Sequence, residues 1–200
     1  MALNVIFDLC GVILEWKPDQ IIDRFFKDPK IKQQVYSEII NHPDWRELDR
    51  GVLSRNEAIV RAADRTGLSI DDIEKMITYI PNALLPIPDT VKLLYSVRER
   101  GHKLFLLTNI PVFSIEYVER EYSFLACFEG SVVSCRVNMI KPEPEIYQYL
   151  MGLYNLDCGE TIYIDDSDVN LNVASGLGIR TIKYENPIQC KCELENMGCL

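Results

Sequence analysis

Val5-Ile6-Phe7-Asp8-Leu9-Cys10-Gly11-Val12 is the stretch that decides the fold. Apolar residues between Leu3 and Phe7, with the β-branched pair Val5-Ile6, read as a short buried strand. A carboxylate, Asp8, stands where the strand gives out, and Gly11 lets the chain turn sharply just beyond it. An aspartate at the end of a buried strand needs partners to stay ionised. In open parallel α/β sheets the carboxyl end of a strand is also where ligands bind. Taken alone, the stretch has a second and weaker reading, a helix N-cap aspartate that happens to follow a strand.

Three more pieces lie downstream: Leu107-Thr108-Asn109, Lys141-Pro142 and Ile164-Asp165-Asp166. Each has a plain reading by itself. Thr108-Asn109 is a turn, Lys141-Pro142-Glu143-Pro144 a solvated loop, and Asp165-Asp166-Ser167-Asp168 a helix start capped by Ser167 or Asp168. Two adjacent aspartates after an apolar strand repel each other unless a cation sits there, which favours a metal at Asp165 and Asp166.

The rest of the chain falls into two textures. From 16 to 87 the patterns are helical: Pro18 to Phe26, Asp28-Pro29 to Ile40, a capping box at Ser54–Glu57, and a helix from Ser69 to Ile80 stopped by Pro81. His42-Pro43-Asp44-Trp45 is expected to be a loop, with Trp45 and Leu48 turned inward and Asp49-Arg50-Gly51 closing the turn. From Pro88 onward helix and strand alternate, with strands at 103–107, 132–133, 161–164 and 180–183. Alternation of this kind predicts right-handed βαβ units and a parallel sheet. The expected organisation is an α/β Rossmann-like core of 1–15 and 88–200 with an inserted helical cap of 16–87.

Composition narrows the function classes. The 200 residues are 48% hydrophobic and 26% charged, enough for one sizeable core or a core plus an insert. A net charge of −9 argues against a nucleic-acid backbone as partner, and an anionic substrate must find a local positive site. No apolar run reaches the roughly 20 residues of a membrane span, and no basic segment or cleavage site marks an export signal. The seven cysteines show no regular framework and read as reduced thiols of a cytoplasmic protein. Cys190, Cys192 and Cys199 lack zinc-site spacing and read as incidental thiols of a tail.

In their order, the four pieces resemble the four motifs of the haloacid dehalogenase superfamily, in the branch with a small helical cap. Leu48–Ser54, Arg100–Lys103 and Lys141–Tyr147 bring the chain nearest to sugar-1-phosphate phosphatases and to the phosphatase domain of soluble epoxide hydrolases. The resemblance implies a sheet of order 5-4-1-2-3 and a magnesium-dependent phosphatase acting on a small phosphorylated metabolite, a sugar phosphate among the options. It makes Asp8 the nucleophile that forms an aspartyl-phosphate. Thr108, the Asn109 backbone and Lys141 would hold the phosphoryl group. Asp8, the Cys10 carbonyl, Asp165 and Asp166 would hold Mg2+, with Asp166 direct and Asp165 through water or just behind it.

One departure stands out. Most phosphatases of the family carry a second aspartate two residues after the first, as general acid and base; this chain has Cys10. A phosphomutase, which needs that group, is disfavoured. A dehalogenase also lacks it but uses no metal, which leaves Asp165-Asp166 unexplained. A weakly catalytic binding protein is the remaining rival, since fold alone does not fix function.

Overall fold

The structure is a computed structural model and describes residues 2–200. Strand β1 (Asn4–Phe7) leads into five helices: α1 (Pro18–Phe25), α2 (Pro29–Val35), α3 (Pro43–Arg50), α4 (Arg55–Thr66) and α5 (Ile70–Ala83). Alternation then begins with α6 (Pro88–Glu99), β2 (Lys103–Thr108), α7 (Val112–Glu121), β3 (Gly130–Val133) and the single turn α8 (Ser134–Val137). It closes with α9 (Pro144–Leu153), β4 (Thr161–Asp165), α10 (Asp168–Gly176), β5 (Arg180–Lys183) and α11 (Pro187–Asn196). The strands form one sheet of order β3-β2-β1-β4-β5, every pair parallel, which is the expected 5-4-1-2-3.

Alternation along each strand builds two cores. Val5, Phe7, Leu104, Leu106, Ile162 and Ile164 face one way, toward Leu93, Leu94 and Val97 of α6 and Leu194 of α11. Ile6, Phe105, Leu107 and Tyr163 face the other, toward Ile146, Tyr147 and Leu150 of α9 and Ala174 of α10. The helices of residues 18–83 bury a separate core, with Ile22, Val35, Ile59, Ile73, Met76 and Ile77 at its centre.

Local chemistry places the helices. Ser54 and Glu57 make both capping-box bonds, and Gly67 at φ +70° ends α4. Three expectations need correction. The segment from His42 is a helix, because Pro43 fits a first helical turn and His42 Nδ1 accepts from Asp44 N at 3.1 Å. Pro81 does not stop α5; it lies one turn from the end, where a single backbone bond is forgone and Ile77 and Ile80 are buried. The tail, read only as carrying incidental thiols, holds a helix: α11 packs on the sheet, with Cys190 and Cys199 fully buried and Cys192 exposed.

Candidate active site

Parallel register brings the motifs together. Phe7 pairs with Ile164 and Leu106, so Asp8 leaves β1 between the ends of β4 and β2, and its N–H donates to the Ile164 carbonyl at 2.9 Å. Asp165 and Thr108 are the last residues of those two strands. Between the carboxylates lies the Lys141 ammonium, 2.8 Å from Asp8 Oδ1 and 2.8 Å from Asp165 Oδ2. Leu9 N also donates to Asp8 Oδ1, at 2.7 Å. Both donors fall on one oxygen, which leaves Oδ2 without a donor among the described residues.

The surroundings fix these groups. Asn109 holds the main chain of Lys141 from both sides, accepting from its N–H at 2.9 Å and donating to its carbonyl at 3.0 Å. Only the Asn109 backbone was expected to take part; its side chain is the clamp that presents Lys141. Asp165 accepts from Ser167 N at 2.7 Å, from Asn170 Nδ2 at 3.0 and 3.1 Å, and from the Tyr163 hydroxyl. Thr108 Oγ1, in contrast, is buried with no partner, a donor waiting for an acceptor.

The electrostatics follow from crowding. Burial raises the Asp8 carboxyl well above the usual carboxylate range; Lys141 pulls it back, and Asp165 and Asp166 push it up again. Burial acts on Asp165 too, but the Lys141 ion pair and the bonds from Lys141 and Tyr163 outweigh it and hold Asp165 low. Burial opposes the Lys141 charge, and its two carboxylates overcome that, so the ammonium persists. Asp166 is exposed as a residue, yet desolvation of its carboxyl and then Asp165 raise it. One ammonium is too little positive charge for three carboxylates.

A divalent ion fits that imbalance. Ligand atoms of Asp8, Asp165 and Asp166 lie within 4.8 Å of one another, a set of hard oxygens. Asp166 leans over the turn at Gly11, where φ is +88° and an added Cβ would stand 2.3 Å from Asp166 Oδ2. Only glycine leaves that carboxylate its place.

Above the cluster opens a cavity of about 240 Å³. Asp8, Cys10 and Lys141 lie at its polar end, and α3 contributes Trp45 and Asp49. Burial, then Asp8 and Asp49, push the Cys10 thiol well above its ordinary pKa, so it stays protonated. Burial likewise pushes Asp49 up to about 8, against the pull of Lys141. Asp49, Tyr163 and Asn170 were missed as site residues. With 42–45 read as a loop, α3 had no face to assign; Tyr163 carried the signal of a hydroxyl two residues before Asp165 on the same strand face.

A profile of haloacid dehalogenase-like hydrolases matches residues 4–178. The chain belongs to this family. Within it, the chain is 24% identical to the sesquiterpene phosphatase astK of Aspergillus oryzae, over 97% of this chain and 96% of that one. It is also 24% identical to the D-ribitol-5-phosphate phosphatase of Bacteroides thetaiotaomicron, over 97% of each. A haloacid dehalogenase family enzyme of Bacteroides thetaiotaomicron, solved in complex with magnesium and inorganic phosphate, superposes with a TM-score of 0.74 at 25% identity. That match covers 92% of this chain and 95% of the other.

Proposed function

We propose that this haloacid dehalogenase-like hydrolase is a magnesium-dependent phosphatase of small phosphomonoesters, with Asp8 as nucleophile and residues 16–87 as the cap over its site. The observation that carries this reading is the cluster itself. Lys141 bridges Asp8 and Asp165 at 2.8 Å each, beside an orphaned Thr108 hydroxyl. Relatives named as phosphatases, and a neighbour holding magnesium and phosphate, support it.

Asp8 Oδ2 is the free oxygen and attacks phosphorus as the ester oxygen leaves. Lys141 pulls the raised Asp8 carboxyl back toward ionisation and offsets charge on the phosphoryl oxygens, and Thr108 donates to one of them. Asp166, Asp8 and the Cys10 carbonyl would hold magnesium directly, with Asp165 behind them, since its oxygens already serve Lys141, Tyr163, Ser167 and Asn170. Bound magnesium supplies charge neutralisation for the substrate phosphate. A protonated Cys10 is a poor proton donor, so the acid–base part falls to Asp49, a carboxyl on the wall of the same cavity. Asp49 protonates the departing alkoxide and then takes a proton from the water that attacks phosphorus and frees Asp8.

Release of phosphate from p-nitrophenyl phosphate with magnesium tests the reading. Asp8→Asn should keep less than about a tenth of the wild-type rate, because an amide is a poor nucleophile. A larger residue of activity rejects Asp8.

A further inference from the structure

The family relatives named above are a sesquiterpene phosphatase and a D-ribitol-5-phosphate phosphatase, names that point to leaving groups of opposite character. The walls of the cavity separate the two. Away from its polar end it is lined by Trp16, Ile40, Trp45, Ile80, Leu84 and Ile110. The rings of Trp16 and Trp45 lie 6.2 Å apart at 33°, a tilted pair of broad apolar faces.

Polar groups on the same walls are mostly spent. Asn109 uses its amide oxygen and nitrogen on the Lys141 backbone, and Asn170 donates to Asp165. Asn41 is exposed at the rim, and Ser114 Oγ is buried without a partner. Beyond Asp49, the polar atoms left among the lining residues are these two, Asn170 Oδ1 and the indole N–H groups of Trp16 and Trp45, few beside the apolar faces. Each hydroxyl desolvated without a partner weakens binding, whereas each methylene against the tryptophans strengthens it.

From this lining we infer that the leaving group is an apolar alcohol, a hydrocarbon chain or ring, and not a polyol. The inference rests on the phosphatase reading for its chemistry and on the cavity wall for its selectivity. Trp16 and Trp45 are then specificity-determining residues that the motifs do not include.

Two primary alkyl phosphates, citronellyl phosphate and ribitol 5-phosphate, make equal demands on the phosphoryl chemistry and differ in the group the wall must accept. On the intact chain with magnesium, kcat/KM for citronellyl phosphate should exceed that for ribitol 5-phosphate at least tenfold. Trp45→Ala should cut that ratio at least threefold, and Trp45→Phe should keep it. If Trp45→Ala does not fold, the wild-type ratio decides alone. Equal or better turnover of ribitol 5-phosphate overturns the inference and leaves the phosphatase reading intact.

Binding is measured separately from turnover. Trp16 and Trp45 are the two tryptophans of the chain, so its intrinsic emission reports on this cavity. Octylphosphonate should shift the emission and bind at least tenfold tighter than the phosphonate isostere of ribitol 5-phosphate. Tight octylphosphonate binding without turnover of any ester, p-nitrophenyl phosphate included, would sink the phosphatase reading, and with it the leaving group, and leave only the apolar preference of the wall. Weaker or equal octylphosphonate binding would sink the inference whatever the turnover.

Discussion

Arg50 grips Glu143 with both terminal guanidinium nitrogens, at 2.8 and 2.5 Å. The pair ties the end of α3 to the loop that carries Lys141. Two further links run beside it: Asn138 Nδ2 donates to the Arg50 carbonyl at 3.1 Å, and Ser134 Oγ to the Asp49 carbonyl at 2.5 Å. At Gly51 the two backbones touch, since a Cβ there would stand 2.4 Å from the Cys135 carbonyl oxygen. Asp49 therefore sits on a segment pinned to the core.

Arg50→Ala and Glu143→Ala should couple. The geometry is bidentate, but the Glu143 side chain is 36% exposed, so solvent screens the pair. A double-mutant cycle in urea should give a coupling of at most about 1 kcal/mol, smaller at high salt. No coupling at low salt would mean the latch is not formed in solution.

Lys141→Met should destabilise the fold as well as abolish turnover. It removes the ammonium from two buried carboxylates and leaves their charge uncompensated, a loss of roughly 3–5 kcal/mol. Urea melts in magnesium-free buffer measure it, and a second change, Asp8→Asn, should return part of the loss. A Lys141→Met protein as stable as wild type would contradict the buried bridge.

Asp49→Asn should slow hydrolysis of alkyl phosphates by roughly 10²–10⁴ and of aryl phosphates far less, because an aryl oxide leaves without a proton. Cys10→Ala should cost little on either substrate. Stability carries a sign as well. The Asp49 carboxyl is raised from 3.8 to about 8 in the folded chain, so the folded state holds the proton more firmly. Its contribution is full below about pH 4 and is lost as pH rises through about 8. Between pH 6 and 9 the melting temperature of the magnesium-free wild type should fall more steeply than that of Asp49→Asn. Parallel curves, or an equal loss on both ester types, would remove Asp49 from its role.

Magnesium should raise the melting temperature of the wild type, and Asp166→Asn should reduce that rise, since Asp166 is the exposed ligand of the acidic set. Chelator should abolish activity and magnesium restore it. Calcium should stabilise yet support little turnover, because its larger and more flexible shell misplaces the phosphate. Full activity in chelator would point to metal-free chemistry.

Most of the sheet was legible because each strand carries its own signal. Val5-Ile6-Phe7 and Thr161–Ile164 are short apolar runs bounded by turn residues, and the Pro and Gly residues between them mark the helices. What stayed hidden depends on packing. Pro81 is forbidding by propensity but tolerated where buried Ile77 and Ile80 hold the turn. His42 caps α3 with a ring nitrogen, a chemistry that cap statistics rank low. Asp49 could not be placed in the cavity until α3 existed. Cys190 and Cys199 looked incidental because a buried thiol and a stray one have the same spelling. Asp8, Lys141, Asp165 and Asp166 were legible only as an ordered set, and the sheet register explains why they meet.

The position of β1 fixes an order of events during synthesis. Asn4 pairs with Lys103 on one side and Thr161 on the other. The strand that leads into Asp8 is made before both its partners, which follow about a hundred residues and more later. Meanwhile the helices of 18–83 can bury their own core, with contacts that are local in sequence. On the proposed cap reading, the helical insert can thus form before the sheet is complete. Val5 and Phe7 therefore lack both native strand partners until β4 is made.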